Sequence, residues 1–148
     1  MNQLMIGAGG MRREGWKTLD CKPGADFVAR IPPLPPEVLA IAWDEIEWIH
    51  GIGSLVPWEG MAVLEGCYQA LRDGGRLVLE QPDFLRAGGM REWLFGDPSL
   101  RDADHMNRWA YTPMELRDLL LRAGFSKVEV KPAQHHVPER DFRVEAWK

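Results

Sequence analysis

Apolar residues along the chain follow two rhythms. Short apolar runs recur at Gln3–Ile6, Lys17–Asp20, Asp26–Ala29, Glu45–Ile49 and Arg76–Glu80, each stopped by glycine, proline or a polar residue. Runs of that length and bounding predict buried strands. Two other segments carry helical spacing. Met61, Leu64, Tyr68 and Leu71 share one face of a helix predicted from Pro57 to about Arg72, with Gly74-Gly75 as its stop. Leu116, Leu119, Leu120 and Ala123 form the stripe of a second helix. Thr112-Pro-Met-Glu115 opens it as a capping box and Gly124 closes it. Ile31 to Pro36 is too proline-rich for a helix interior or central strand, and its last proline can start a short helix over Glu37–Ala42. Lys127–Lys131 and Asp141–Trp147 alternate like strands near a sheet edge, and Pro132–Arg140 joins them as a hairpin. Residues 84–111 keep no clean period and are interrupted at Gly88-Gly89 and Gly96-Asp97-Pro98. A polar, aromatic, glycine-containing segment of this kind predicts a lid or substrate wall.

Strands alternating with helices predict an α/β sheet, whose ligands sit beyond the carboxyl ends of its strands. The first strand ends in Gly7-Ala-Gly-Gly10, and the second ends in Asp20. Glycines admit a ligand to the backbone, and an acid beside them can grip ribose hydroxyls. The spacing selects among nucleotide cofactors. A dinucleotide fold needs a third glycine opening a full helix, with its acid about 20 residues on. Here Arg12 takes the glycine position and Asp20 follows Gly9 by only eleven positions. No full helix fits, so a pyrophosphate is disfavoured and a cofactor without phosphates suits the turn.

An ordered series of motifs extends the pattern: Gly15-Trp-Lys-Thr-Leu-Asp20, Ala25-Asp-Phe-Val28, Asp44-Glu-Ile46, His50, Leu71-Arg-Asp-Gly-Gly-Arg-Leu-Val-Leu79, Pro82-Asp83 and Leu119-Leu-Leu-Arg-Ala-Gly-Phe125. Over nearly its whole length the chain resembles a compact, Rossmann-like S-adenosylmethionine-dependent methyltransferase, of a subgroup that replaces the first helix by a brief loop. The resemblance implies one domain over 1–148, with a mostly parallel sheet, an antiparallel last strand and helices on both faces. It implies S-adenosylmethionine as cofactor, bound by Ile6, Gly7, Ala8, Gly9, Asp20, Cys21 and His50. His50 and Asp83 become the candidate catalytic residues, and His105, Arg108 and Tyr111 the candidate substrate contacts in the lid. Arg30 stands where relatives carry an acid that reads adenine, and Gly53 and Ser54 where they carry glutamate and histidine.

Methyl transfer from a sulfonium needs alignment and water exclusion more than a fixed triad. The resemblance, together with the absence of nucleic-acid features, implies methyl transfer to a small-molecule or saccharide-like acceptor. The alternative is a non-catalytic cofactor-binding or interaction module with the same fold.

Composition narrows the partners. Of 148 residues 45% are hydrophobic and 27% charged, with a net charge of −4. No basic face is expected for nucleic acid or an anionic membrane, and no apolar run reaches the roughly 20 residues of a membrane span. Cys21 and Cys67 match no metal spacing, and with no leader before the first strand they read as reduced thiols of a cytoplasmic protein. Adjacent His135 and His136 point opposite ways in extended chain, so no metal is expected. A homo-oligomer is left open.

Overall fold

A computed structural model describes all 148 residues. Seven strands, β1 (Gln3–Ile6), β2 (Trp16–Asp20), β3 (Phe27–Val28), β4 (Trp43–Ile49), β5 (Leu71–Pro82), β6 (Lys127–Pro132) and β7 (Asp141–Trp147), form one sheet in the order β3-β2-β1-β4-β5-β7-β6. The strands from β3 to β5 run parallel, and β7 is antiparallel to both β5 and β6. This is the expected fold class, with the chain order reversing beside β1. Ligand crevices of open α/β sheets lie at such a switch point.

The helices are α1 (Pro36–Leu39), α2 (Pro57–Ala70), α3 (Arg91–Phe95) and α4 (Pro113–Ala123). The capping box of α4 forms as expected: Thr112 Oγ1 accepts from the Glu115 amide at 3.2 Å, and Glu115 Oε2 from the Thr112 amide at 2.8 Å. Gly124 ends the helix at φ +113°. Helix α2 stops earlier than its apolar spacing suggests. Leu71, 1% exposed, already pairs with Trp43 as strand. Gly74-Gly75 therefore shape a register shift in β5 rather than cap the helix. Helix α1 is a single turn, shorter than expected.

Alternation assigns the two faces of the sheet. Leu4, Ile6, Ile46, Trp48, Leu77, Leu79, Phe142, Val144 and Ala146 point to one core with Val63, Leu64, Leu116 and Leu120 of α2 and α4. Helix α2 touches both α1 and α4, and all three bury side chains in that core. The helical cover thus differs from the expected two-sided one. The other face carries long charged side chains paired across strands. Arg76 bonds Glu45 at 2.8 Å, Arg143 bonds Glu80 at 3.1 Å and Glu145 at 2.8 Å, and Lys131 bonds Glu145 at 2.7 Å. Their aliphatic stems cover apolar strand surface, and Val78 beside them is fully buried.

No helix separates β1 from β2, and residues 7–15 connect them as a loop. Asp26 fastens this corner. It accepts from the Thr18 amide at 2.9 Å, the Thr18 hydroxyl at 3.0 Å, Arg12 at 2.9 Å and Lys17 at 3.3 Å. Asp26 thereby ties the loop after β1 to the start of β2. Burial pushes its carboxyl up, but the Thr18 amide and hydroxyl, with Lys17, hold it down at about 2. An unfolded aspartate titrates at about 4. The stabilisation is therefore complete above that pH and fades as pH falls toward 2. Thermal unfolding between pH 2 and 7 should show Asp26→Asn melting below the wild type at pH 7, with the difference closing toward pH 2. A constant difference across that range contradicts this account.

Candidate functional site

Strands β1 and β2 end side by side, and both ends build one corner. The Gly7 amide donates to the Leu19 carbonyl at 2.8 Å, carrying the pairing one residue beyond β1. The chain then turns through Gly7, Gly9 and Gly10 at φ +67°, +57° and +87°. Non-glycine residues are strained there. Asp20 closes the corner: Oδ2 accepts from the Gly9 amide at 2.9 Å and Oδ1 from the Lys22 amide at 3.0 Å. Burial works to raise this carboxyl, and the two amides outweigh it, so it sits below its usual range. A Cβ at Gly9 or Gly10 would meet nothing within 4 Å. A cavity of about 180 Å³ opens here, lined by Ala8, Gly10, Thr18, Asp20 and Lys22 among others. The Ile6 side chain points into the core. Cys21 sits half-buried beside Asp20, its Sγ 3.8 Å from Asp104 of the segment between β5 and α4. Burial, then Asp104 and Asp20, push its thiol up.

Trp48 forms the floor. Its indole lies 3.9 Å from where a Cβ on Gly7 would stand. A Cβ on Gly51 would fall inside the same ring. The tryptophan thus packs between two glycine turns, one after β1 and one after β4. Gly53 is equally constrained: its Cβ would stand 2.9 Å from Asn107 and 3.0 Å from Gln81. The space beside Gly53, where a glutamate was expected of relatives, is filled here by Asn107 and Gln81.

The second half of the site is a cleft of about 140 Å³ at the carboxyl ends of β4 and β5. His50, Glu92, Trp93, Asp104, His105, Asn107 and Arg140 line it with Pro82 and Gly96. His50 adopts a left-handed backbone at φ +56° and donates its amide to the Glu80 carbonyl at 2.8 Å. Its Nε2 meets Oδ2 of the fully buried Asp141 at 2.6 Å. Arg140 binds both oxygens of the same carboxylate. Burial raises the Asp141 carboxyl, and the bonds to His50 and Arg140 overcome it, holding it at about 2. His136 stacks edge-on against His50 at 4.4 Å between ring centres. Burial first, and then the proximity of the His50 ring, push His136 below the usual histidine range.

Residues 84–111 cross from β5 to the β2 side. Lys22 pairs with Asp102 at 2.9 Å, and Arg30 with Asp104 at 3.2 Å. Arg30, placed where an adenine-reading acid was expected, is instead a strap for this segment.

The expected site residues distribute unevenly. Gly7, Ala8, Gly9, Asp20 and Cys21 gather at the corner, and His50 and His105 face the cleft. Asp83 does not line the cleft. It accepts from the Leu85 amide at 2.9 Å and shapes the turn after β5. Arg108 is exposed, and only its amide engages the site wall, donating to the Gly53 carbonyl at 2.7 Å. Tyr111 is a correction. It is 2% exposed in the core beside Gly60, because its strand-like pairing with Asp83 turns the ring inward. Burial pushes its hydroxyl to about 12. Asp141 and Arg140 escaped sequence reasoning, since Asp141 lies 91 positions from His50. His135 and His136 join no cluster of three metal-ligand side chains. No helix is long and apolar enough to cross a membrane.

No protein-family model matches the sequence, and no curated protein matches it. Solved structures match at low identity. A SAM-dependent methyltransferase from Archaeoglobus fulgidus superposes with TM-score 0.67 at 16% identity, covering 99% of this chain and 86% of that one. An O-methyltransferase family protein from Burkholderia thailandensis gives TM-score 0.69 at 13% identity, over 99% of this chain and 50% of that one. PigF, solved with SAH, gives 0.61 at 15%, over 99% and 50%. The chain has the Rossmann-like fold of the class I SAM-dependent methyltransferases, and spans half the length of the last two.

The glycine constraint is directly testable. Gly51→Ala drives a methyl into the Trp48 indole and should lower the denaturant midpoint by the equivalent of about 1–3 kcal/mol. An unchanged midpoint would show that the floor of the site is not packed as described.

Proposed function

We propose that this protein binds S-adenosylmethionine at the glycine corner and transfers its methyl group to a small polar acceptor, of saccharide-like character, in the cleft beside His50. The observation that carries this reading is the 2.9 Å bond between the Gly9 amide and Asp20. It fixes a bare backbone turn and a carboxylate side by side, with open space above the glycines. Each Asp20 oxygen has a second lone pair beyond the one facing its amide. Those acceptors suit the two ribose hydroxyls, while the Gly7, Ala8 and Gly9 backbone lies along the nucleoside. Cys21 and the end of Ile6 border the same corner, and His50 marks the side toward the acceptor.

Bound there, the sulfonium supplies an activated methyl group. The protein's own work is to align an acceptor with it and keep water out. The strapped segment carrying Trp93, His105 and Asn107 closes the acceptor side. That cleft is nearly free of apolar side chains. A polar, hydroxylated acceptor fits it better than a lipid-like one.

A second reading, a non-catalytic module of the same fold, draws on the fact that Asp20 already has both oxygens bonded to its own loop. Calorimetric titration separates the two. The enzyme reading expects micromolar binding of S-adenosylmethionine and of its homocysteine product, weakened at least tenfold in Asp20→Ala, the loss of about 1.4 kcal/mol. Gly7→Val, folded by circular dichroism, should bind neither ligand. No heat with either ligand in folded wild-type protein supports the module.

A further inference from the structure

The reading as a methyltransferase leaves open what the acceptor atom is, and the side chains behind His50 bear on it. His50 Nε2 faces Asp141 at 2.6 Å, while its Nδ1 has no protein partner. The imidazole lines the cleft with 24% of its side chain exposed. Asp141 is fully buried and cannot reach the cleft itself. A buried carboxylate accepting from one ring nitrogen fixes the tautomer, leaving the lone pair on the other. The left-handed backbone of His50 points the same way, since strained conformations persist where the surroundings impose them and cluster at functional sites.

The charge around the pair is balanced. Arg140 bonds the same carboxylate and stands 3.5 Å from His50 Nε2. His136 faces the ring from the β6–β7 loop, and Glu92, Asp104 and His105 face the cleft from the lid. Arg140 neutralises Asp141, so the carboxylate acts on His50 chiefly by orientation.

We infer that Asp141 is a positioning residue that presents His50 Nδ1 as a proton acceptor, and that the methyl acceptor is therefore a hydroxyl group of a sugar-like molecule. This rests on the methyltransferase reading above. Neutral amines and thiolates attack a sulfonium without help. A hydroxyl is the poor nucleophile that needs a base. The acceptor oxygen forms its bond to the methyl carbon as the carbon–sulfur bond breaks, with that electron pair staying on sulfur. The hydroxyl proton passes to Nδ1, and the resulting imidazolium, paired with Asp141, later releases it to water. Around this point the indole of Trp93 lines the cleft together with Glu92 and Asn107. An aromatic face flanked by carboxylate and amide is suited to a hydroxylated ring.

Two measurements test the inference on the intact chain. Nitrogen NMR of the histidine rings in the free protein should show His50 protonated on Nε2 and bare on Nδ1. Asp141→Asn should redistribute that proton, while His105 stays unchanged. A wild-type His50 protonated on Nδ1 overturns the assignment without any cofactor present.

The second measurement follows methyl transfer from S-adenosylmethionine to a panel of glucose, galactose, rhamnose and glucuronate, with histamine and dithiothreitol as amine and thiol probes. Transfer to at least one sugar is expected, with kcat about 100-fold lower or worse in Asp141→Asn and in His50→Asn, and little change in KM for S-adenosylmethionine. Asparagine tolerates the left-handed backbone, so His50→Asn keeps the test valid where Asp141→Asn fails to fold. Transfer only to histamine or dithiothreitol, or cofactor binding with no transfer to any sugar, overturns the acceptor class. Absence of cofactor binding in calorimetry defeats the methyltransferase reading instead, and the NMR result still decides the tautomer.

Discussion

A single hydrogen bond, from the Gly9 amide to the Asp20 carboxylate, joins the ends of the first two strands into one corner. The corner exists because β1 and β2 pair in parallel register without a helix between them. A helical crossover would place the acid on the far side of a longer excursion. Here the loop must return within nine residues, which it does through positive-φ glycines and the Asp26 tie to Thr18 and Arg12. The indole of Trp48 then fills the space below, and Gly51 is bare because that ring occupies its side-chain position. The turn, the acid and the floor are thus mutually dependent.

No helix stands between β1 and β2, and the cover of the sheet is uneven. The helices that pack on it gather on one face around a shared apolar core. The opposite face is closed by arginine and lysine stems whose heads pair with Glu45, Glu80, Glu129 and Glu145. The buried members of this lattice cost desolvation and are tolerated because each charge has partners. Glu80 does a second job: it accepts from the Gln134 and His135 amides and so anchors the loop that carries His136 and Arg140. The charged face and the polar cleft are connected through that one side chain.

Much of the fold was legible in the sequence because it depends on local signals. Short apolar runs bounded by glycine, proline or polar residues mark the strands, and the Thr112–Glu115 box with Gly124 marks α4. The glycine turn and Asp20 were legible as a pair for the same reason, both lying within one short connection. Misjudged features depend on distant neighbours. Leu71 fits a helical stripe equally well, but Trp43 draws it into the sheet. Tyr111 resembles a lid aromatic until its pairing with Asp83 turns it into the core. Asp141 reads as the start of an alternating strand, and only the antiparallel pairing of β7 with β5 brings it under His50. The space at Gly53 is closed by the approach of Asn107, a steric constraint that no local motif encodes.

The proposed function is a spatial claim, that an adenosyl group would lie across the glycine turn, against Asp20, with its sulfur directed toward His50. A crystal structure grown with S-adenosylmethionine tests it most directly. The account predicts ribose oxygens within hydrogen-bonding distance of the Asp20 carboxylate and the methyl carbon facing the cleft that holds His50. Density for the nucleoside elsewhere on the molecule, or a bound nucleoside that leaves Asp20 without contact, would contradict it.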